Sequence, residues 1–416
     1  MGVSVAVIGA GASGLCAARH LLRSPFRFRV FERSELAGGT WNYSEGEAGG
    51  AQRVATSSAV YRDLRTDIPC ETMEFPDFPM ERPLEHEPSY IHHSRVKAYL
   101  ERYAKENNLL EHIEFHKEVQ NVAPVETGGA TKWKVSILDM ASGDLEEDVT
   151  FDAIMVCNGH FNEPWVPEVI GMEEFVGQVL HSCRYREPEA FAGQRVVLWG
   201  ASSSACDIAL QVSAVAHSVT ICHRPTPWLP SGFPQSIKVS ANIISAYKEG
   251  FTLEDGTTCK ADTLIYCTGY EYSFPFLSPE CKIEVNDYHV TPLYKHLINI
   301  EYPSMCLVGL PQMTVPFIMF HFQVQYFLKV LEGSVALPST DEMRAEGAGG
   351  RKAHHLGPHQ WAYFKDLAST AHLKPLQPVI EQVVTDSIEA MLMDVAHFKR
   401  YRYTLADDGT FTKVRV

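Results

Sequence analysis

The chain has 416 residues, 45% of them hydrophobic, and a formal net charge of −15 at pH 7. That is enough apolar mass for two domains, and an overall charge that argues against nucleic acid as a partner. Ten cysteines include no C-x-x-C pair, and several lie in apolar runs such as "IMVCNG", "VTICHR" and "LIYCTG". Buried free thiols in a reducing, cytoplasmic setting are expected, not a disulfide framework or a redox dithiol.

In chain order, residues 3–8 predict a strand, Gly9–Gly14 a turn, Leu15–Leu22 a helix and "FRFRVFER" (26–33) a second strand. This is a βαβ unit of about 30 residues. No basic-then-apolar leader precedes it, so no signal peptide is expected. After a loop-rich stretch from Ser34 to Pro88, Ser94 is the expected cap of a helix with Val96, Tyr99, Leu100 and Tyr103 on one face. "FHKEVQNV" and "KWKVSILD" read as strands, and "TFDAIMVCNGH" as one buried strand ending at Gly159. Pro164 and Pro167 punctuate the way to a second βαβ unit, Val196 to Arg224, followed by an apolar strand in "DTLIYCTGY" (262–270). The apolar run 315–331 contains His321, Gln323, Gln325 and Lys329, which predicts a buried helix and not a membrane span. An Ala/Gly/Arg-rich loop (344–353) and a charged tail complete the chain. The expected division is 1–170, 171–295 and 296–416, the middle part inserted between two halves of the first domain.

Gly9, Gly11 and Gly14 give G-x-G-x-x-G between strand and helix. Gly9 permits the tight turn, Gly11 the approach of a pyrophosphate, Gly14 close helix–strand packing, and the helix N-terminus offers free N–H groups. Ala12 and Ser13 complete this cradle. Glu32 ends the second strand, where a carboxylate accepts from ribose hydroxyls and would repel a 2′-phosphate; FAD or NAD fits, NADP does not. In proteins with two dinucleotides, a segment like "GGTW", with Gly39, Thr40 and Trp41, lies along a flavin. The second unit reads "GASSSACD", with Gly200, Ser202 and Ala205 at the three glycine positions, and Ser202, Ser203 and Ser204 as phosphate donors. Its second strand ends in His223-Arg224, and a guanidinium suits the 2′-phosphate of NADPH. The first cradle therefore predicts FAD and the second NADPH, the flavin carrying the chemistry. Reduced flavin has three outlets. Disulfide reduction needs a cysteine pair that is absent, which leaves an oxidase and a monooxygenase. "HHLGPH" (354–359) lacks a Cys or acid at a recognised ligand spacing, so no metal is expected. "NYS" (42–44) is a formal glycosylation sequon but abuts "GGTW".

"FVGQVLHSCRYR" supplies Phe175, Gly177, His181, Ser182, Tyr185 and Arg186 in the pattern F-x-G-x-x-x-H-S-x-x-Y-R. It resembles the identifying stretch of flavin-containing monooxygenases, which usually ends in Lys. His181 reads as a structural histidine. "VAVIGAGASGL", "LRTDIP", "MEFPDFP", "CNGH", "CTGYEYSFPFL", "PLYKHL" and "GGRKAHHLGPHQWAYFKDLA" extend the resemblance along nearly the whole chain. It implies an α/β fold of two Rossmann-like dinucleotide-binding domains, for FAD and NADPH, the second inserted in the first. The implied activity is NADPH- and O2-dependent oxygenation of soft nucleophiles, amines or sulfides, through a C4a-hydroperoxyflavin. Baeyer–Villiger oxygenation of ketones and a non-oxygenating NADPH oxidase or sensor are the alternatives. It also implies FAD contacts at Arg33, Arg65, Thr66 and Val119, and an NADP contact at Gln323. Some members carry a C-terminal membrane tail; "RYTLADDGTFTKVRV" does not resemble one. The chain is most similar to the short insect and yeast-like branch, including insect pyrrolizidine-alkaloid (senecionine) N-oxygenases, and a homo-oligomer is left open. One departure stands out. In "LRTDIP" the family usually has Asn where this chain has Asp67, near the reactive edge of the flavin. Asp67 is the one candidate catalytic residue; it must either be held protonated or face a donor.

Overall fold

The computed structural model describes residues 2–45, 58–346 and 353–416. The first unit is β1 (Ser4–Ile8), α1 (Ala12–Leu22) and β2 (Arg27–Phe31). The helix opens at Ala12, not Leu15, because the glycine turn is already its N-cap. After the loop comes α2 (His93–Glu106), whose buried face includes Val96, Tyr99, Leu100 and Tyr103. Its cap is His92, not Ser94: the Ser94 N–H donates to His92 Nδ1 at 3.3 Å.

β3 (Ile113–Glu114) leads to a meander of β4 (Lys117–Thr127), β5 (Ala130–Asp139) and β6 (Leu145–Phe151), then to β7 (Ala153–Val156). The run expected as one strand is thus broken at Asp152. Its carboxylate accepts from the Ser4 N–H (2.8 Å) and hydroxyl (2.7 Å). These bonds turn the chain from an antiparallel layer into a parallel one.

The second unit follows β8 (Glu163–Pro164) and β9 (Gln178–His181): β10 (Arg195–Trp199), α3 (Ser203–Val212), β11 (Ser218–Cys222) and β12 (Ile237–Ser240). A small antiparallel layer, β13 (Ile243–Tyr247), β14 (Gly250–Leu253) and β15 (Thr258–Lys260), precedes β16 (Thr263–Tyr266). β17 (Tyr270–Glu271) pairs back to β8. After the hairpin β18 (Glu284–Asn286) and β19 (His289–Thr291), the chain adds β20 (Leu293–Tyr294), β21 (Ile298–Asn299) and β22 (Met305–Leu307) to the first sheet. It ends with α4 (Pro316–Leu331), α5 (Thr340–Glu346), α6 (Gln360–Thr370), α7 (Pro378–Met393), β23 (Tyr401–Leu405) and β24 (Phe411–Arg415).

Two sheets result, in the orders β20-β21-β22-β7-β1-β2-β3 and β12-β11-β10-β16-β9. The second lies wholly between β7 and β20 in sequence, so one Rossmann-like domain is inserted in the other. One face of the first sheet packs on α1, α2, α4, α6 and α7; the other packs on the meander through Ile8, Phe31, Val119 and Trp133. α4 is the long apolar run, buried as expected through Phe317, Ile318, Phe322 and Phe327. Among the described residues no helix is long and apolar enough to cross a membrane. Residues 347–352 lie outside the described residues, and with them part of the 344–353 loop and the start of "GGRKAHHLGPHQ".

Candidate dinucleotide sites

Gly9, at φ +100°, sits where a Cβ would come 2.6 Å from the Cys157 carbonyl oxygen, and a Cβ on Gly14 would come 1.9 Å from that of Gly9. The protein's own packing demands both glycines. Gly11 differs. A Cβ there would meet nothing closer than Gly39 Cα at 3.6 Å, an ordinary contact. Gly39, at φ +57°, faces it from the "GGTW" segment, which is tied in by Gly38 N–H donating to the Ala10 carbonyl at 2.9 Å. Two glycine turns thus approach with no side chain between them. No side chain caps α1, and no acid occupies its first turn. An anionic pyrophosphate fits this end of the helix.

Glu32 is buried. Its Oε2 accepts from the Ala10 N–H at 2.7 Å, and its Oε1 from the Ser34 N–H (2.9 Å) and hydroxyl (2.8 Å). The carboxylate therefore holds the glycine turn in shape, and a carboxylate with about four acceptor positions keeps capacity for ribose hydroxyls. Ala12 and Ser13 are buried in the first turn of α1, Arg33 is exposed, and Thr40 and Trp41 are half-buried. Arg65 donates to the Tyr90 carbonyl at 3.1 Å, and the Thr66 hydroxyl accepts from the Ile91 N–H at 3.1 Å, so both brace the 61–67 loop against the entry to α2. Val119 is a core residue of the meander.

The second cradle repeats the scheme. Gly200, at φ +130°, would place a Cβ 2.2 Å from the Cys267 carbonyl. Ala205 is fully buried, and Ser202, Ser203 and Ser204 are exposed at the start of α3, where the N-cap Ser202 makes no capping hydrogen bond. Arg224 is exposed two residues beyond β11. It lines a cavity of about 220 Å³ with Trp165, Thr268, Tyr272, Gln312 and His354, among others. The glycine at positive φ and the uncapped start of α3 have the form of a second dinucleotide cradle.

Gln323, expected at NADP, is held on α4. It is fully buried on α4, with Oε1 accepting from the Gly309 N–H (2.9 Å) and Nε2 donating to the Tyr363 hydroxyl (2.8 Å). Each end of the amide makes one bond to the protein, which leaves one N–H and one lone pair. His181 closes the end of β9. Its Nδ1 accepts from the Cys183 N–H at 3.2 Å, so Nε2 carries the proton and donates to the Gly269 carbonyl at 3.0 Å. Burial lowers its pKa to about 4.

Asp67 is neither buried nor free. Its Oδ1 meets Lys399 Nζ at 2.9 Å, and its side chain is 42% exposed. Lys399 lies more than three hundred residues away in sequence, so no local pattern could announce the pair. The same holds for His20, Asp77 and His321, whose ligand-type atoms lie within 4.8 Å of one another. Asp77, however, is paired with Arg19 at 2.5 Å and Arg23 at 3.7 Å. Two guanidinium groups on that carboxylate oppose a dication.

Comparison with known proteins follows the same outline. A family model described as flavin-binding monooxygenase-like matches residues 2–237 and 229–415. The flavin-containing monooxygenase FMO GS-OX1 of Arabidopsis thaliana is 35% identical, over 97% of this chain and 92% of that protein. The S-allyl-L-cysteine S-oxygenase of Allium sativum superposes with a TM-score of 0.87 at 32% identity, covering 98% of this chain and 96% of the other. Tmm from a Pelagibacter strain superposes with a TM-score of 0.85 at 26% identity, over 98% and 96%. The expected placement in an insect or yeast-like branch beside alkaloid N-oxygenases is therefore corrected. That expectation leaned on chain length, the missing tail and the apolar stretch from Val315, whereas these relatives match throughout and two of them are plant enzymes.

Proposed function

The chain belongs to the flavin-binding monooxygenase-like family, an oxidoreductase with FAD and NADPH as cofactors, and from that premise we propose that it oxygenates a small thioether at sulfur. The carrying observation is the end-to-end match, in sequence and fold, to an enzyme that oxygenates the sulfur of S-allyl-L-cysteine. Bound FAD, reduced by NADPH, would supply the chemistry that splits O2, one oxygen going to a soft nucleophile and the other to water. What this chain contributes is position. The Gly9–Gly14 turn, the N-terminus of α1 and Glu32 hold FAD, the Gly11–Gly39 gap taking its pyrophosphate. Gly200, Ser202–Ser204 and Arg224 would hold NADPH, Arg224 serving the 2′-phosphate.

A neutral thioether needs no proton removed before it attacks oxygen; a tertiary amine is mostly protonated at pH 7 and does. Asp67, at the family's flavin-edge position, is the acid that would draw in such a cation, and it is already ion-paired with Lys399, which it shares with Asp207. That supports sulfur over nitrogen. The test is NADPH-dependent turnover of matched allyl and methyl thioethers, tertiary amines and ketones, read by mass spectrometry. Sulfoxide as the main product is expected. N-oxide or ester formation with no sulfoxide overturns the proposal.

A further inference from the structure

Lys399 stands in a single turn, Phe398–Arg400, between α7 and β23. Its side chain is only 17% exposed, yet its Nζ reaches Asp67 Oδ1 at 2.9 Å, Asp207 Oδ1 at 2.8 Å and the Arg65 carbonyl at 3.0 Å. The two acids come from different domains. Asp67 and Arg65 belong to the loop after the first cradle; Asp207 lies in α3, the helix that opens the second. Asp207 is itself fully engaged: its Oδ2 accepts from the Tyr61 hydroxyl and from Gln211 Nε2 at 3.0 Å. Tyr61 stacks edge-on against Tyr185 at 5.1 Å, and Tyr185 donates to Gln211 Oε1 at 3.0 Å. Tyr61, Tyr185, Ala205 and Ile208 share one apolar cluster. Asp207 gathers the buried part of this junction, with Lys399 as the cation on it; at the exposed rim Arg62 of the same loop pairs with Glu187 at 2.6 Å and Glu189 at 2.9 Å.

We infer that Lys399 is a positioning residue that locks the NADPH cradle onto the flavin-side loop 61–67, using one ammonium to bridge Asp207 and Asp67. The inference rests on the reading of α3 as the NADPH cradle. Without the ammonium, two carboxylates face each other across a domain boundary and repel. Burial lowers the pKa of Lys399, but Asp207 and Asp67 raise it further than burial lowers it, so the bridge stays charged. The consequence is geometric. Hydride transfer needs donor and acceptor atoms in near contact, and a misplacement of about 1 Å costs roughly a hundredfold in rate.

The experiment uses the FAD-loaded protein carrying Lys399→Met, with Lys399→Arg as the charge-keeping variant. Four quantities are read: FAD content, the NADP+ dissociation constant by calorimetry, anaerobic flavin reduction by NADPH, and flavin reduction by dithionite, which needs no cradle. Lys399→Met is expected to keep its FAD and its dithionite rate, bind NADP+ more weakly, and lose at least about tenfold in reduction by NADPH. Lys399→Arg should recover most of that loss. Parent-like NADPH reduction in Lys399→Met overturns the inference, and so does loss of FAD together with NADP+ binding, which would make Lys399 a general structural residue. Should Lys399→Met fail to fold, Asp207→Asn replaces it in the same four measurements: a comparable loss in NADPH reduction with FAD retained is expected, and parent-like reduction overturns the inference. A parent protein that does not bind NADP+ overturns the cradle reading and this inference with it; normal binding by the parent beside an unaffected Lys399→Met overturns the inference alone.

Discussion

The two cradles stand on one backbone plan and differ in what fills it. In each, a parallel strand runs into a glycine at positive φ, a Cβ on which would strike the carbonyl of a cysteine just past the neighbouring strand, Cys157 in one and Cys267 in the other. In each, that cysteine's N–H returns to the first strand at 2.8 Å. The plan tolerates no side chain there. At the middle position the cradles diverge: Gly11 in the first, exposed Ser202 in the second. The Gly11 environment explains why: nothing in the protein crowds that spot, so the residue there answers to the ligand and not to the fold. The third position shows the opposite pressure relaxed, Gly14 being pinned against the Gly9 carbonyl while α3 accommodates the methyl of Ala205. At the ends of the second strands the charges are opposed, Glu32 against His223-Arg224.

The sharpest way to break this symmetry is at the third position. Gly14→Ala drives a methyl to 1.9 Å from a backbone oxygen that cannot step aside. It should cost about 3 kcal/mol or more and empty the flavin site, read as lost 450 nm absorbance and a fallen Tm. The mirror change Ala205→Gly should leave flavin content intact and cost only about 1 kcal/mol from helix propensity and lost burial. Equal effects of the two changes would show that the cradles obey the same packing rule after all.

Charge at the strand ends comes next. Arg224→Ala should lower kcat/KM for NADPH by roughly tenfold to a hundredfold, about 1.5–3 kcal/mol for a lost charge-assisted contact, and leave NADH turnover near the parent value. A parent that uses NADH and NADPH equally well removes the role of Arg224 in the second cradle.

Both units were legible in the sequence because each is written within about 30 consecutive residues: strand, small-residue turn, helix, strand, and a charged residue at the end. The inserted second domain was implied by the family resemblance, and the strand order of the two sheets shows it. What escaped notice joins distant segments. Gln323 is polar on an apolar helix, and its true partners, Gly309 and Tyr363, come from a strand end and from α6. Asp67 broke its family's pattern visibly, but its partner Lys399 is a charged residue in a charged tail, where nothing in the sequence distinguishes it. The Asp152 break within an apolar run was hidden for the same reason, since Ser4 supplies the bonds.

The strands paired to each β1-type strand also end beside histidines withdrawn from solvent, half-buried His160 after "CNG" and buried His181 on the Gly269 carbonyl. Burial lowers both to a pKa of about 4, from an ordinary value of 6.5. Both are therefore neutral in the folded protein well below the pH at which an unfolded chain takes up the proton. Their stabilisation is complete above about pH 6.5 and is lost progressively as the pH falls toward 4. Tm should hold steady from pH 8 to 7 and drop by several degrees by pH 5. In His181→Gln, which keeps a donor for Gly269 and cannot titrate, the drop should be smaller. An unchanged acid slope in that variant would assign the loss to other groups.

The smallest effect is expected where the sequence looked most suggestive. Asp67→Asn restores the residue usual in the family and keeps the shape, so it tests charge alone. Lys399 would keep Asp207 and the Arg65 carbonyl, and a pair with one half-exposed partner contributes at most about 1 kcal/mol. Thioether turnover should stay within about threefold of the parent, well short of the tenfold-or-greater losses expected from a buried charge-assisted contact. Three results discriminate. If amine turnover falls while thioether turnover holds, Asp67 draws in a cation despite Lys399, and the preference for sulfur loses its electrostatic support. If both fall and hydrogen peroxide release rises, the carboxylate acts at the flavin edge itself. If neither changes, Asp67 leaves the catalytic site and remains as one end of the bridge that holds the two cradles together.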